Sequence, residues 1–153
     1  MTFTFNERGH KVYRVLEMDV VTGKVRTLIE ETNDKYVNYN RLFRHDFSDG
    51  RRILWTSERD GRNHIYLYNR QTAQLVRQVT RGEFYVRDIQ RVDEKAGVVY
   101  FSANGMNPKE DPYLIHYYKI GLDGKHLTCL TPEEGNHSVT YTDDMAYLID
   151  TYS

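Results

Sequence analysis

Apolar and polar residues alternate along most of the chain, and the alternating segments recur about every fifty residues. Three copies of the unit begin with an aromatic-rich strand, continue through a polar turn and end in a second strand; they occupy residues 13–29, 65–80 and 115–131. Alternation of this kind is typical of half-buried strands. A repeat of this length is typical of propeller blades, each a sheet of four antiparallel strands.

The middle of the chain gives the clearest blade. Its four strands are predicted at residues 44–47, 53–57, 64–69 and 75–80. Asp49-Gly50 and Asp60-Gly61 mark hairpin turns, because glycine adopts positive φ without steric cost. The next blade repeats this order, with strands predicted at 85–92 and 98–102 and two more within 113–131. No segment keeps a helical apolar period, so we expect little helix.

The repeats divide the chain into two complete blades and two partial ones. The complete blades are predicted at residues 41–82 and 83–132, and the partial blades at 1–31 and 137–153. Residues 139–144 and 146–150 are predicted as the two strands of the last partial blade, and 32–40 as a loop. So few blades cannot close a ring. We therefore expect an all-β fold, an open arc of a partial β-propeller that belongs to a longer protein.

Composition narrows the classes of function. The 153 residues carry a net charge of −1, which disfavours binding to nucleic acid or to an anionic membrane. Thirteen Tyr and six Phe suit pleated strands. No apolar run approaches the ~20 residues that a membrane span needs, and no signal peptide opens the sequence. Cys129 stands alone, so neither a disulfide framework nor a cysteine zinc site is predicted.

Candidate chemistry within the chain is sparse. The histidines lack metal-ligand spacing, so no metal site is predicted; they are His10, His45, His64, His116, His126 and His137. We interpret His64 as a packing and hydrogen-bonding residue. The adjacent acids Glu30-Glu31 and Asp143-Asp144, like Glu133-Glu134, are interpreted as solvated charges. No cofactor-binding motif is present.

Nucleophilic catalysis is not predicted either. The chain contains no G-x-S-x-G elbow, so we assign it no catalytic residue. Ser57, Ser102 and Ser153 occupy similar strand ends, and we interpret their repeated hydroxyl as a structural hydrogen bond. Trp55 lies between buried aliphatic residues and is predicted to be core.

Four stretches of sequence carry a family resemblance. The most specific begins Trp55-Thr56-Ser57-Glu58-Arg59-Asp60-Gly61 and continues to residue 68; the others are residues 78–86, 92–101 and 144–153. Together they resemble the N-terminal β-propeller of the dipeptidyl peptidase IV family of serine peptidases. In that family an eight-bladed propeller sits on an α/β-hydrolase domain. That domain carries a Ser-Asp-His triad and removes N-terminal dipeptides, typically after Pro or Ala.

The resemblance implies a function for the parent protein. We expect a non-catalytic propeller segment of a periplasmic or extracellular serine exopeptidase, inactive alone, which gates and lines the substrate cavity. Its expected partners are the α/β-hydrolase domain and remaining blades of the same chain, and a peptide substrate; nucleic acid is not expected. The alternatives are a propeller from a catalytically inactive binding scaffold and one from a related oligo- or tripeptidyl peptidase. Exposed blade edges also predict self-association.

The same resemblance points to one ligand-contacting segment. Residues 36–41 match an inter-blade stretch that faces the substrate cavity in the family, so the cavity candidates are Asn38, Tyr39, Asn40 and Arg41. An aromatic ring with amide neighbours can pack against an extended peptide and form hydrogen bonds with it. The alternative is an exposed connector with turn-forming asparagines. The glutamates that grip the substrate amine in the family come from an earlier blade.

Overall fold

Thirteen β-strands and one 3₁₀ turn make up the computed structural model, which describes all residues from 1 to 153. The strands are β1 (Thr2–Asn6), β2 (Val12–Met18), β3 (Val25–Thr32), β4 (Arg44–Asp46), β5 (Arg52–Ser57), β6 (His64–Asn69), β7 (Gln74–Gln78), β8 (Tyr85–Asp93), β9 (Val98–Asn104), β10 (Ile115–Gly121), β11 (Thr128–Cys129), β12 (His137–Tyr141) and β13 (Leu148–Tyr152). The 3₁₀ turn is Tyr39–Arg41. None of its helical structure has the length and apolar character needed to cross a bilayer.

The strands form four sheets in which chain neighbours are also sheet neighbours. The sheets are ordered β1-β2-β3, β4-β5-β6-β7, β8-β9-β10-β11 and β12-β13. Pairing is antiparallel within the first, third and fourth sheets and between β4 and β5. The prediction of an all-β fold with several antiparallel sheets is confirmed.

Tight turns fix the register of these sheets. Between β4 and β5, Phe47 and Arg52 close the hairpin with a 3.1 Å backbone hydrogen bond. Gly50 sits within it at φ 67°, a left-handed conformation that favours glycine. The Asp49 carboxylate accepts the backbone N–H of Arg51 at 2.8 Å, which replaces a backbone bond lost at the turn.

The chain forms two compact units, residues 1–61 with 65–77, and residues 62–64 with 78–153. The core of the first unit gathers the buried faces of β2, β3, β5 and β6. Its members are Val15, Leu28, Ile29, Ile53, Trp55, Tyr66 and Tyr68. Trp55 is 2% exposed, which confirms its prediction as core. Burying side chains of this size provides most of the driving force for packing the sheets.

In the second unit the buried side chains alternate along β10, and β9 carries the apolar core residues at every second position. Val99, Phe101 and Ala103 are fully buried on β9. The ring of Phe101 stacks on that of Tyr118 with centroids 5.7 Å apart, which joins the two strands by an aromatic pair. The pairing of β8 with β9 shifts register at two places, after Val86 and after Ile89. Such bulges bend and twist a strand.

The bounds of the C-terminal strands differ from prediction by two or three residues. We predicted 139–144 and 146–150, but β12 ends at Tyr141 and β13 begins at Leu148. Thr142 accounts for the difference, because its backbone pairs with Tyr147 at 3.0 Å and its hydroxyl accepts the Tyr147 N–H at 3.1 Å. The hydroxyl also donates to Asp144 at 2.6 Å, so these residues form a capped turn instead of strand.

Candidate functional site

The predicted cavity segment, residues 36–41, connects β3 to β4 within the first unit. Val37 is buried, and its N–H donates to the carbonyl of His10 at 2.8 Å. Tyr39–Arg41 then forms the 3₁₀ turn, closed by the Leu42 N–H on the Tyr39 carbonyl at 3.4 Å. On the far side, the Thr56 hydroxyl donates to the Arg41 carbonyl at 3.4 Å. The backbone of the segment is therefore held by the β1-β2 turn on one side and by β5 on the other.

Four aromatic rings lie in a row that runs from the segment to the core. We call this row the aromatic stack, and its members are His10, Tyr39, Tyr13 and Trp55. Successive ring centroids lie 5.5, 6.0 and 6.3 Å apart. Tyr36 meets the edge of His10 at 5.8 Å. Offset rings at these separations attract each other beyond their buried area. The stack thus links the turn to the core residue Trp55.

The four predicted cavity residues fall into two groups. Asn38 and Tyr39 are half-buried, and the Tyr39 ring is already engaged in the aromatic stack. Asn40 and Arg41 are exposed, and neither side chain forms a hydrogen bond or ion pair within the chain. Their side chains are available to contact a ligand. The assignment of this segment to a substrate cavity remains a prediction.

A buried carboxylate lies at the base of the stack. Glu31 is 6% exposed, and its two oxygens accept from Trp55 Nε1 at 2.8 Å and Ser57 Oγ at 2.7 Å. Arg59 Nη2 adds a charge-assisted hydrogen bond at 2.5 Å. The Arg59 guanidinium also lies over the ring of Tyr66, 4.5 Å from its centroid. The charge of Glu31 is thereby neutralised and its lone pairs are satisfied.

The interpretation of Glu30-Glu31 as solvated acids is therefore wrong for Glu31. Glu30 is exposed and pairs with Arg14, whereas Glu31 points inward. Successive side chains of a strand face opposite ways, so Glu31 shares the face of the buried Ile29. That alternation was visible in the sequence and could have placed Glu31 inside. The three donors that satisfy it come from β5 and its turn, which no local pattern reveals.

For the other candidate residues, some of the predicted structural roles agree with the structure and others do not. Ser57 donates to Glu31, so the structural interpretation of its hydroxyl is confirmed, but Ser153 is exposed and does not occupy an equivalent buried site. His64 is buried and hydrogen-bonded to Thr80, as predicted. His116 and His137, distant in sequence, meet inside the second unit with centroids 4.8 Å apart. No group of three or more potential metal ligands converges anywhere in the chain.

Comparison with known proteins adds the decisive observation. The family model described as the dipeptidyl peptidase IV (DPP IV) N-terminal region matches residues 1–153. The chain belongs to this family. A relative from Aspergillus oryzae, named "Probable dipeptidyl-aminopeptidase B", is 30% identical over 122 residues, covering 76% of this chain and 13% of the relative. One of the same name from Emericella nidulans is 39% identical over 77 residues, covering 48% and 8%.

Solved structures agree on the fold. The crystal structure of Porphyromonas gingivalis dipeptidyl peptidase 4 superposes with a TM-score of 0.77 at 24% identity, covering 99% of this chain and 21% of that one. A chain from Bacteroides ovatus ATCC 8483 gives 0.76 at 23%, covering 99% and 24%. The prediction of a partial β-propeller from the DPP IV family is confirmed. The chain spans only 13% of the length of the Aspergillus relative.

Proposed function

We propose that this DPP IV N-terminal segment lines and gates the substrate cavity of a serine exopeptidase that removes N-terminal dipeptides after Pro or Ala. The chain itself supplies no nucleophile elbow, so its task is to restrict access and position the substrate. A propeller wall that admits only narrow, unstructured termini would protect folded proteins from the peptidase. Chemistry would come from a Ser-His-Asp triad on an α/β-hydrolase domain of the same parent chain.

The observation that carries this proposal is the construction of segment 36–41. Its backbone is held by His10 and Thr56, while Asn40 and Arg41 extend outward without partners. A binding surface works best when its polar groups stand on a backbone that does not have to be ordered on association. An amide and a guanidinium on such a turn offer donors to the carbonyl oxygens of an extended peptide.

The proposal extends to location and assembly. A peptidase that trims the termini of external peptides would work in the periplasm or outside the cell, where we place the parent protein. Its partners would be the remaining blades and the catalytic domain. The exposed side chains of the β12-β13 sheet, among them Ile149 at 67%, would be covered by those blades or by another copy of the chain.

The test compares this chain with a longer polypeptide that continues through the α/β-hydrolase domain. Release of p-nitroaniline from a Gly-Pro anilide is expected only from the longer protein. If both are silent while the longer protein is folded and lacks a G-x-S-x-G serine, the parent is a binding scaffold. Cleavage of a tripeptidyl anilide in preference to the dipeptidyl one would instead identify a tripeptidyl peptidase.

A further inference from the structure

The 3₁₀ turn that carries Asn40 and Arg41 is too short to hold its own shape. Its hydrogen bonds are long, because the Arg41 N–H donates to the Asn38 carbonyl at 3.2 Å and the Leu42 N–H donates to the Tyr39 carbonyl at 3.4 Å. The side chain of Asn38, which precedes the turn, does not cap it. A single 3₁₀ turn has poor hydrogen-bond geometry and little stability of its own. Other parts of the first unit must therefore fix its conformation.

Ring packing is the contact that reaches the middle of the turn. The Tyr13 ring lies nearly parallel to the Tyr39 ring, at an interplanar angle of 4° with centroids 6.0 Å apart. On its other side, Tyr13 stacks on Trp55 with centroids 6.3 Å apart. Tyr13 is half-buried and packs against the core of the first unit. It is therefore the member of the aromatic stack that contacts both the turn and the core.

The position of Tyr13 is set by the first sheet. Tyr13 lies directly opposite Asn6 of β1 and Glu31 of β3. Residues paired in this way lie on the same face of a sheet. Asn6 Nδ2 lies 3.0 Å from His10 Nδ1, and Glu31 accepts the Trp55 indole N–H at 2.8 Å. The three residues thus form one row across the sheet, in which Tyr13 contributes a ring of the stack and each neighbour holds another.

His10 supports the turn through a second ring. Its imidazole stacks on the Tyr39 ring at 5.5 Å, and its carbonyl accepts the Val37 N–H at 2.8 Å. His10 adopts φ 56°, a left-handed conformation that is uncommon outside glycine and needs surrounding contacts to persist. The Tyr39 ring is therefore in contact with two rings, and both depend on the row of residues across the first sheet.

We propose that Tyr13 is a positioning residue for the peptide substrate, because its ring holds the turn that presents Asn40 and Arg41. This inference rests on the proposed cavity role of residues 36–41. Tyr13 acts through Tyr39 and does not itself contact the substrate. A turn that is already fixed loses less conformational entropy when the substrate binds. The packing of Tyr13 therefore strengthens substrate binding and lowers KM.

The kinetic test uses the proposed full-length peptidase with Gly-Pro p-nitroanilide as substrate. Tyr13→Leu keeps apolar volume but removes the flat ring, so KM should rise about tenfold with little change in kcat. Tyr13→Phe keeps the ring, and the Tyr13 hydroxyl forms no hydrogen bond within the chain, so this variant should retain the original KM. The control is Tyr117→Leu, at a half-buried tyrosine of β10 outside the stack, which should leave KM unchanged.

The coupling between Tyr13 and Arg41 separates positioning from a purely structural role. When Arg41→Ala is already present, Tyr13→Leu should raise KM little further, because the charged donor that the turn presents is absent. Additive effects of the two substitutions would overturn the positioning role, as would an unchanged KM in Tyr13→Leu. An unchanged KM in Arg41→Ala alone would instead overturn the cavity role on which the inference rests.

A second measurement uses this chain without a catalytic domain. Amide hydrogen exchange followed by NMR reports the opening of the turn at Arg41 and Leu42. Tyr13→Leu should accelerate exchange at both amides about tenfold. Exchange should stay unchanged at Gly50, whose N–H donates to the Phe47 carbonyl at 2.9 Å in the β4-β5 turn. Equal acceleration at Gly50 would indicate a general loss of stability, and unchanged exchange at Arg41 and Leu42 would show that the turn does not depend on Tyr13; either result would contradict the proposal.

Discussion

Glu31 and Trp55 meet inside the first unit, where the indole N–H donates to a carboxylate oxygen at 2.8 Å. The same carboxylate receives Arg59, whose side chain is 29% exposed. Glu31→Gln would leave this partly buried guanidinium without its counter-charge. We expect the free energy of unfolding to fall by about 2–3 kcal/mol. Urea unfolding of Glu31→Gln and of the unchanged chain at neutral pH measures this difference in the free energy of unfolding.

Glu30→Gln provides the matched control for that experiment. Its side chain is 44% exposed and paired with Arg14 on the surface, where ion pairs contribute about 0–1 kcal/mol. If the two variants lost the same stability, the buried cluster would not be a determinant of the fold.

Glu17 joins two arginines and should give the first unit acid sensitivity. The hydrogen bond from Arg26, assisted by Arg70, holds the pKa of Glu17 below its ordinary value despite partial burial. Its contribution is therefore present above the ordinary glutamate pKa and is lost as pH falls through the lowered one. Glu17→Gln should cost about 1 kcal/mol at neutral pH and nothing at strongly acid pH. Glu7→Gln, at an exposed residue, is the control. Its stability should differ little from that of the unchanged chain at neutral pH and at acid pH, and chemical unfolding of both variants measures this.

Tyr141 has a hydroxyl that is buried without a hydrogen-bond partner. Burial raises the pKa of this phenol to about 12, with Tyr117 and Tyr100 nearby. Tyr141→Phe removes the unsatisfied group and keeps the ring packing on Tyr100. We expect an increase in stability of about 1 kcal/mol in thermal or urea unfolding. Tyr147→Phe, which is 74% exposed, should be neutral, and a loss of stability in Tyr141→Phe would reveal a partner for the hydroxyl.

Arg41 is the side chain through which the proposed cavity role can be tested. In the proposed full-length peptidase, Arg41→Ala should raise KM about tenfold or more with little change in kcat, because under the proposal it removes a charged donor that binds substrate and transition state equally. Arg51→Ala is the control, since Arg51 is also exposed but lies in the β4-β5 turn. Equal kinetics for the two variants would assign segment 36–41 to a purely structural connector.

Self-association should depend on the two-stranded sheet at the C-terminus. β13 has one partner, β12, and its Ile149 is 67% exposed. Ile149→Lys places a charge on this open strand and should shift the chain toward monomer in gel filtration at several concentrations. Val21→Lys, at a residue 90% exposed in the β2-β3 turn, should leave the elution unchanged. If the unmodified chain eluted as a monomer at every concentration, the prediction of self-association would be wrong.

The sequence predicted the fold class well because alternation and turn residues act locally. The aliphatic neighbours of Trp55 in its strand predict a core position, and the structure agrees, because Trp55 is 2% exposed. The bounds of the last two strands were predicted less well. The β-propensity of the sequence continues past Tyr141, but the Thr142 hydroxyl caps a turn there and the strand ends. The chemistry of the interior was harder to predict. His116 and His137 are 21 positions apart in number, and their acceptors come from three other segments.

Within residues 36–41, the residue that holds the turn against the aromatic stack is not one of the residues that face solvent. Tyr39 anchors the turn through its ring, while the adjacent Asn40 and Arg41 are exposed and their side chains form no hydrogen bond or ion pair within the chain. Substitutions at these two positions should therefore be nearly free of stability penalties. Under the proposed cavity role, related proteins could diverge at these positions in the ligands they select without compensating changes elsewhere in the fold.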